Sequence, residues 1–226
     1  GRIQLAANDQ LTLAASANIT TNGNAGGVIS MSADVMDING YIQANGGSGR
    51  GGTINMTANQ VIDLNQAWIQ TNGFDGGSIH IISNTDSIIA DLSHIQTNGS
   101  NGRGGTITLK ANQGTLTYQG IIEANGTTQA GNITLTANHI QIQDGSHITA
   151  TGHLGGGQIQ IGGSWQNSNP NIHQAITNTV EQNVLIDASA LTNGNGGEIV
   201  IWSDILNADA YTKVFGSVYA KGGSLK

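Results

Sequence analysis

The chain has 226 residues, with 34 glycines, one proline, no cysteine and a formal net charge of −7 at pH 7. The lack of cysteine excludes disulfides and thiolate metal sites. The acidic balance argues against a nucleic-acid or anionic-membrane partner, because both require a basic surface. No run approaches the roughly 18 consecutive apolar residues of a transmembrane helix, so we expect no membrane insertion.

A glycine followed by alternating apolar residues recurs along the whole chain. The copies begin at Gly1, Gly27, Gly52, Gly77, Gly105, Gly131, Gly157 and Gly197. By subtraction their spacings are 26, 25, 25, 28, 26, 26 and 40 residues. A nearly fixed period of this length indicates a solenoid, in which each repeat buries its apolar face only when neighbours stack on it.

The first strand of each repeat follows directly from this glycine. The second residue after it is isoleucine in all eight copies, the fourth is Leu, Met or Ile, and the sixth is Ala, Ser or Gly. Polar residues such as Thr106, Thr108 and Lys110 stand between them. Because side chains alternate between the two faces of a strand, this pattern predicts a strand with one buried face.

The seventh residue after the glycine is Asn or Asp in seven of the eight copies, with Ser164 as the exception. The seven are Asn8, Asp34, Asn59, Asn84, Asn112, Asn138 and Asp204. These residue types tolerate bends and bond nearby backbone groups. Stacked in register, they are expected to form a hydrogen-bonded ladder at a turn.

Two further short strands complete each repeat. Leu11/Leu13 and Ile140/Ile142 illustrate the second, and "IQTNG" at 69–73 and 95–99 closes the third. Three short strands in 25–26 residues, repeated about eight times, predict an all-β parallel β-helix whose coils pair with the coils above and below.

The spacing of 40 residues breaks this regularity once. Residues 164–183 contain the single proline, Pro170, and leave the alternation, so we expect a loop extruded from the stack. The chain is then one β-helix segment, with regular coils at 1–163, the loop at 164–183 and final coils at 184–226. Two interpretations of the loop remain open: a sugar-binding surface, or a tryptophan packed against the adjacent coil. The residues concerned are Trp165, Asn167, Asn169 and His173.

Residues 196–223 resemble the filamentous-haemagglutinin-like proteins that bacteria export by two-partner secretion. The family signature is "GG-x-apolar-x-apolar-W-[SA]-D", a spacer, and then "F-x-G-x-[IV]-x-A-x-GG". It corresponds here to Gly196, Gly197, Trp202, Ser203, Asp204, Phe215, Gly216, Gly222 and Gly223. The match departs in two places, since Phe215 directly precedes Gly216 and the spacer "ILNADAYTKV" is longer.

The resemblance implies a right-handed β-helix that is secreted or held at the surface of a Gram-negative bacterium. It further implies adhesion or filament formation, no catalytic residues, and an outer-membrane transporter as export partner. The family's amino-terminal secretion domain is not among these residues. Cell-surface glycans or proteins are the expected binding partners.

Other functions receive less support from the sequence. A polysaccharide-cleaving β-helix needs convergent carboxylates, and the candidate pairs Asp34/Asp37, Asp86/Asp91 and Asp204/Asp209 have no arginine nearby. An ice-binding solenoid needs regular threonine rows, which His80 and Gln160 interrupt. We therefore predict no catalytic residue, no metal site and no cofactor.

Assembly is the last expectation from the sequence. Gly222, Gly223, Ser224 and Leu225 are expected to begin a further coil. Unpaired strand edges either continue into more repeats of one long polypeptide or pair head to tail with other copies. The first arrangement gives a long rod, and the second gives a self-assembling filament.

Overall fold

The computed structural model describes residues 1–224, and its strands stack in three columns of parallel pairs. Twenty strands form one continuous sheet. Each coil contributes one segment to the first, second and third columns in turn. The predicted parallel β-helix of three strands per coil is confirmed.

The first column contains the strands that follow the glycines. Its segments are β1 (Arg2–Ala6), β4 (Val28–Ala33), β7 (Thr53–Ala58), β10 (Ser78–Ser83), the beginnings of β12 (Thr106–Glu123) and β13 (Asn132–Ile142), β15 (Gln158–Ile161) and β18 (Glu198–Ile201). The register keeps the isoleucines aligned, with Ile107 opposite both Ile79 and Ile133. In-register stacking follows because a shift by one residue would turn every apolar side chain outward.

The second column lies after the first corner of each coil. Its segments are β2 (Gln10–Leu13), β5 (Val35–Ile38), β8 (Ile62–Asn65), the beginning of β11 (Ile88–Gln96), the middle of β12, the end of β13, β16 (Thr177–Val180) and β19 (Tyr211–Val214). Inward aliphatic side chains such as Ile62 and Ile140 are buried here.

The third column closes each coil. Its segments are β3 (Asn18–Thr20), β6 (Tyr41–Gln43), β9 (Trp68–Gln70), the ends of β11 and β12, β14 (His147–Thr149), β17 (Leu185–Asp187) and β20 (Ser217–Tyr219). Pairing is again parallel and in register, as Trp68 opposite His94 shows. The three columns therefore enclose one elongated core.

The number of stacked coils depends on how the terminal coils are counted. Each column has eight segments in the described residues, but the first and last segments have a neighbour on one side only. About six turns are flanked on both sides, slightly fewer than the eight coils predicted.

Stacking determines which side chains are buried. Ile29, Ile54, Ile79, Ile107, Ile133 and Ile159 are all fully buried. Ile3 and Ile199, in the terminal coils, are only partly buried because one of their neighbours is missing. The core is thus a column of aliphatic layers, each covered by the next.

One aromatic side chain is placed inside this aliphatic core. Tyr118 is fully buried, and the neighbouring position in the preceding coil is the small Ala90. The Tyr118 hydroxyl donates to the backbone oxygen of Ile121 at 2.9 Å or to that of Ser93 at 3.1 Å. Burial raises the pKa of Tyr118 well above 10.0.

The repeated glycines permit the coils to approach closely at the turn before the first strand. A Cβ on Gly105 would lie 2.2 Å from the backbone oxygen of Gly77. That distance is far below van der Waals contact, so any side chain here would separate adjacent coils. From Gly27 onward, the glycine that marks each repeat is therefore required by packing.

The predicted loop at 164–183 is wrong at its carboxyl end. Residues Thr177–Val180 form β16, which pairs with β13 and β19 inside the stack. The excursion closes earlier, where the amide of Ala175 donates to the Gly162 oxygen at 2.5 Å. The sequence pattern did not predict this strand because one of its inward positions holds a polar residue, Asn178, which is fully buried.

Near the carboxyl end, Gly223 pairs with Gly194 in an antiparallel bridge. The predicted beginning of a further coil also includes Leu225, which lies outside the described residues.

No helix within residues 1–224 has the length and apolar character needed to span a bilayer.

Candidate functional sites

The loop places Trp165 against a tryptophan of the next coil. Trp165 begins a short 3-10 turn, Trp165–Asn167, and its ring centroid lies 4.9 Å from that of Trp202. The planes are tilted by 51°. Trp165 is nevertheless 57 % exposed. One side of the Trp165 ring therefore packs on Trp202, and the other side faces solvent.

The other three predicted loop residues are engaged within the protein. Asn167 donates from its side-chain amide to an Asp204 carboxylate oxygen at 2.8 Å. Asn169 accepts the amide hydrogen of Asn171 at 3.0 Å. The Nε2 atom of His173 lies 2.7 Å from Asn138 Oδ1. The contacts of Asn167 and His173 fasten the loop to the coils on either side of it, whereas the contact of Asn169 lies within the loop.

The surroundings of His173 disfavour its protonated form. Its burial lowers the pKa, and the nearby charge of Lys110 lowers it further, while Asp204 opposes both effects. Because a protonated imidazole is disfavoured there, His173 is poorly suited to attract an acidic ligand near neutral pH. Of the four candidates, Trp165 retains the most accessible apolar surface.

Three of the signature residues lie at the base of this loop, and the others lie at different corners of the coils. Trp202 packs on Trp165, Asp204 holds Asn167, and Ser203 forms a bridge with Ala175. Gly197 fills a position where a Cβ would lie 1.9 Å from the Gly157 oxygen. A Cβ on Gly196 would be 2.1 Å from the Ala220 oxygen, and one on Gly216 would be 2.5 Å from the Val184 oxygen. Phe215, by contrast, is 62 % exposed.

Three buried polar atoms lie without a hydrogen-bond partner in and around this base. They are Trp202 Nε1, Asn167 Oδ1 and Asn178 Oδ1. Asn178 satisfies its amide hydrogens instead, donating to the Trp202 oxygen at 2.6 Å. Unpaired buried polar atoms are costly. The regular coils contain three others, the hydroxyl oxygens of Thr21, Thr71 and Thr97.

The predicted Asn/Asp ladder is continuous over only part of its length. Asn59 donates to Asp34 at 2.5 Å, and Asn84 donates to Asn59 at 3.4 Å. Asn138 instead bonds the Gln113 backbone oxygen, and Asp204 bonds the loop. Among the described contacts, Asn8 and Asn112 take no part in a side-chain bond of this column. The corner changes its backbone path between coils, so the amides do not stay aligned.

A more regular ladder, which the sequence analysis missed, follows the third column. Each Asn of the recurring "TNG" or "ANG" turn accepts, through Oδ1, the backbone amide hydrogen of the equivalent residue in the next coil. Five consecutive bonds of 2.7–2.9 Å connect Asn22, Asn45, Asn72, Asn98, Asn125 and Thr151. The signal for it in the sequence is the Asn-Gly pair that recurs at the end of the third strand.

A second row of amides runs beside it on the outward face of the third column. Gln43 donates to Gln70 at 3.3 Å, and Gln70 donates to Gln96 at 2.8 Å. Gln96 then donates to a carboxylate oxygen of Glu123 at 2.6 Å. Each bond points the amide nitrogen toward the following coil. Because a carboxylate only accepts, Glu123 gives the row its direction.

Glu123 is stabilised as an anion by its neighbours. Hydrogen bonding with His94 lowers its pKa below the usual value of 4.5, burial raises it, and hydrogen bonds from Asn98 and Gln96 lower it. His94 Nε2 is 3.8 Å from the carboxylate and 2.7 Å from Gln96 Nε2. The net direction is downward.

Aromatic side chains form a third row on the same face. Tyr41 and Trp68 have ring centroids 6.2 Å apart, and Trp68 and His94 are 4.2 Å apart. Trp68, His94 and His147 occupy one register position of the third column, with Ile121 between the two histidines. Trp68 is thus covered on two sides by aromatic neighbours.

One carboxylate of each pair considered for catalysis is hydrogen-bonded to a neighbouring side chain. Asp34 bonds Asn59, Asp86 accepts from the Ser87 hydroxyl at 2.9 Å, and Asp204 bonds Asn167. The structure groups a different set on the second column, where Asp63 lies near Asp37 and Asp91. Burial and then these two charges raise the pKa of Asp63. Within residues 1–224, no group of three or more His, Asp or Glu residues is placed to hold a metal ion.

Comparison with known proteins adds no family assignment. The chain matches no family model and no curated protein.

Proposed function

We propose that the chain is a structural and adhesive rod, part of a secreted filamentous-haemagglutinin-like protein at a bacterial surface, and that it is not an enzyme. The observation that supports this proposal most is the uninterrupted register of three strand columns through all described coils. Such a stack transmits length and stiffness, because every coil is bonded to both neighbours. At about 4.8 Å per coil, about six turns extend roughly 30 Å along the rod axis.

The outward surface supports a displaying role. On the third column the amides of Gln43, Gln70 and Gln96 are bonded to one another rather than converging on a cleft. This face presents ordered side chains over several coils, amides at Gln43, Gln70 and Gln96 and a carboxylate at Glu123. It is a surface suited to extended contact and not to binding a small substrate.

Solution measurements test the rod and the adhesion separately. Small-angle scattering is expected to show an elongated particle, and a compact shape would contradict the rod. Beads coated with the folded chain are expected to retain cells or polysaccharides under flow better than beads coated with the urea-unfolded chain. Equal retention by both would contradict adhesion, and new reducing ends released from polysaccharides would contradict a non-catalytic role.

Trp165 supports a more specific binding hypothesis, because its ring is exposed beside polar loop residues. Indole rings stack on sugar faces, so Trp165→Ala is expected to weaken retention by a glycan surface. Phe74→Ala is the matched control, since Phe74 is 44 % exposed at a different turn. Equal effects of the two substitutions would exclude the loop as the recognition site.

A further inference from the structure

The chain contains nine Asn-Gly pairs, and the structure treats them unequally. Their asparagines are residues 22, 39, 45, 72, 98, 101, 125, 193 and 195. In a flexible peptide an Asn-Gly pair is chemically labile. The backbone nitrogen of glycine attacks the side-chain amide carbon of asparagine, because glycine has no side chain to hinder ring closure. Reaction requires the two groups to meet in a near-attack geometry.

Five pairs are held out of that geometry by the ladder of the third column that runs from Asn22 to Thr151, called here the Asn ladder. In each, the Asn Oδ1 atom accepts a backbone hydrogen from the next coil. The Nδ2 atom donates to the next coil, as when Asn72 donates to Gln96 at 3.2 Å and Asn98 donates to Glu123 at 2.9 Å.

The attacking nitrogens of these five pairs are occupied as well. The amide of Gly73 donates to the Asn98 oxygen at 3.1 Å, and that of Gly99 donates to the Asn125 oxygen at 2.8 Å. Gly23, Gly46 and Gly126 make equivalent bonds of 2.7–3.1 Å. Both reacting groups are therefore directed toward the adjacent coil and not toward each other.

The pair at 193–194 has the opposite arrangement. Asn193 is exposed, and the amide of Gly194 donates to the Oδ1 atom of Asn193 itself at 2.8 Å. The side-chain carbonyl is thus folded back against the nitrogen that would attack it. Gly194 has φ +94°, a conformation that glycine adopts readily and other residues rarely do.

We propose that Asn193 is a site of spontaneous modification, and that the Asn ladder protects the five stacked Asn-Gly pairs from the same reaction. The Gly194 nitrogen bonds to Cγ of Asn193, its proton leaves with the side-chain amide as ammonia, and a cyclic imide forms. Water then opens the imide to aspartate or isoaspartate. The product carries one more negative charge at an exposed turn, and the stacked coils stay unchanged.

Peptide mapping of the folded chain tests both parts at once. The protein is incubated at 37 °C and mildly alkaline pH, and the aspartate and isoaspartate at each Asn-Gly pair are quantified over time by mass spectrometry. We expect residue 193 to react at least about tenfold faster than each ladder asparagine, because reaction of a ladder residue requires local opening of the stack. In urea, residues 22, 45, 72, 98, 125 and 193 should react at similar rates.

Two results would overturn the proposal. If Asn193 reacts no faster than the ladder asparagines in the folded chain, its turn does not promote cyclisation. If the ladder asparagines react as fast in the folded chain as in urea, the stack does not protect them.

Variants separate the local geometry from overall stability. Asn193→Gln lengthens the side chain, which disfavours ring closure, and should abolish reaction at 193 without changing the other rates. Gln96→Ala removes the acceptor of the Asn72 amide and should accelerate reaction at Asn72 severalfold relative to Asn22. Gln60→Ala, at an exposed position, is the control and should change neither rate.

Discussion

The regular coils before residue 162 and the region from 162 to 224 are built differently, although both belong to one stack. In the regular coils, equivalent positions carry equivalent side chains, and the amide rows bond like to like. From residue 162 onward the corresponding contacts join unlike groups, such as the Asn167 amide with the Asp204 carboxylate and the Asn178 amide with the Trp202 backbone oxygen. In the regular coils one hydrogen bond recurs between equivalent side chains from coil to coil. In the insertion each polar side chain needs a partner of its own.

The largest effect on stability is expected when an inward isoleucine is shortened to alanine in each region. Ile107→Ala should destabilise the protein by about 2–5 kcal/mol, since the fully buried Ile107 leaves a cavity between two covered coils. Ile199→Ala should cost clearly less, because Ile199 is only partly buried. Urea unfolding followed by circular dichroism measures both. Equal losses would mean that coverage by a neighbouring coil does not control core stability.

The buried hydroxyl in the regular coils gives the next largest effect. Tyr118→Phe should cost about 1–3 kcal/mol, because the oxygens of Ser93 and Ile121 lose the hydroxyl donor inside the core. Urea midpoints at neutral pH check this value. An unchanged urea midpoint in the Phe variant would show that other groups replace the hydroxyl as hydrogen-bond donors.

Tyr118 also predicts sensitivity to alkali. Its pKa is raised in the folded protein, so the unfolded chain loses this proton first as pH rises. Stability from this group is complete below about pH 10 and decreases above it. The Phe variant should lose this part of the alkaline dependence in unfolding curves recorded between neutral pH and pH 11.

The direction of the amide row depends on Glu123, and its effect should be smaller. Glu123→Gln keeps the shape and removes the charge, at a cost of about 1 kcal/mol. Because the folded pKa of Glu123 is lowered, its contribution is present above pH 4.5 and is lost as pH falls through the folded value. Acid unfolding of the wild type and the Gln variant should therefore converge at low pH. If the stabilities of the two proteins differ by the same amount at every pH, the charge of Glu123 does not stabilise the amide row.

The smallest expected effect comes from the acidic group of the second column. Asp63→Asn should slightly raise the urea midpoint at neutral pH, because burial and the charges of Asp37 and Asp91 raise the pKa of Asp63. Stability from this group is greater at low pH and is lost as pH rises through its folded pKa, so the advantage of the variant should vanish in acid. Asp9→Asn, at an exposed position of the first coil, is the control.

The candidate sites were less predictable than the fold. The sequence pointed to Trp165 through its position in the irregular stretch, and the structure leaves that ring exposed. It pointed equally to Asn167 and His173, which the structure uses to fasten the loop. Residue type alone does not distinguish a polar side chain that faces a ligand from one that faces a neighbouring coil, because the two differ only in tertiary position.

By itself the sequence determined the coil length, the inward residues and the parallel stacking, because apolar alternation repeated at a fixed period has only one way to bury its faces. Only the tertiary structure decided which polar columns bond. The Asn column at the first corner loses alignment beyond Asn84, whereas the Asn-Gly column stays aligned for five coils. Likewise, Asn178 occupies the core because the Trp202 oxygen of the following coil accepts its amide. Hydrogen bonding requires partners within about 3 Å, and only the folded stack brings residues some 25 positions apart to that distance.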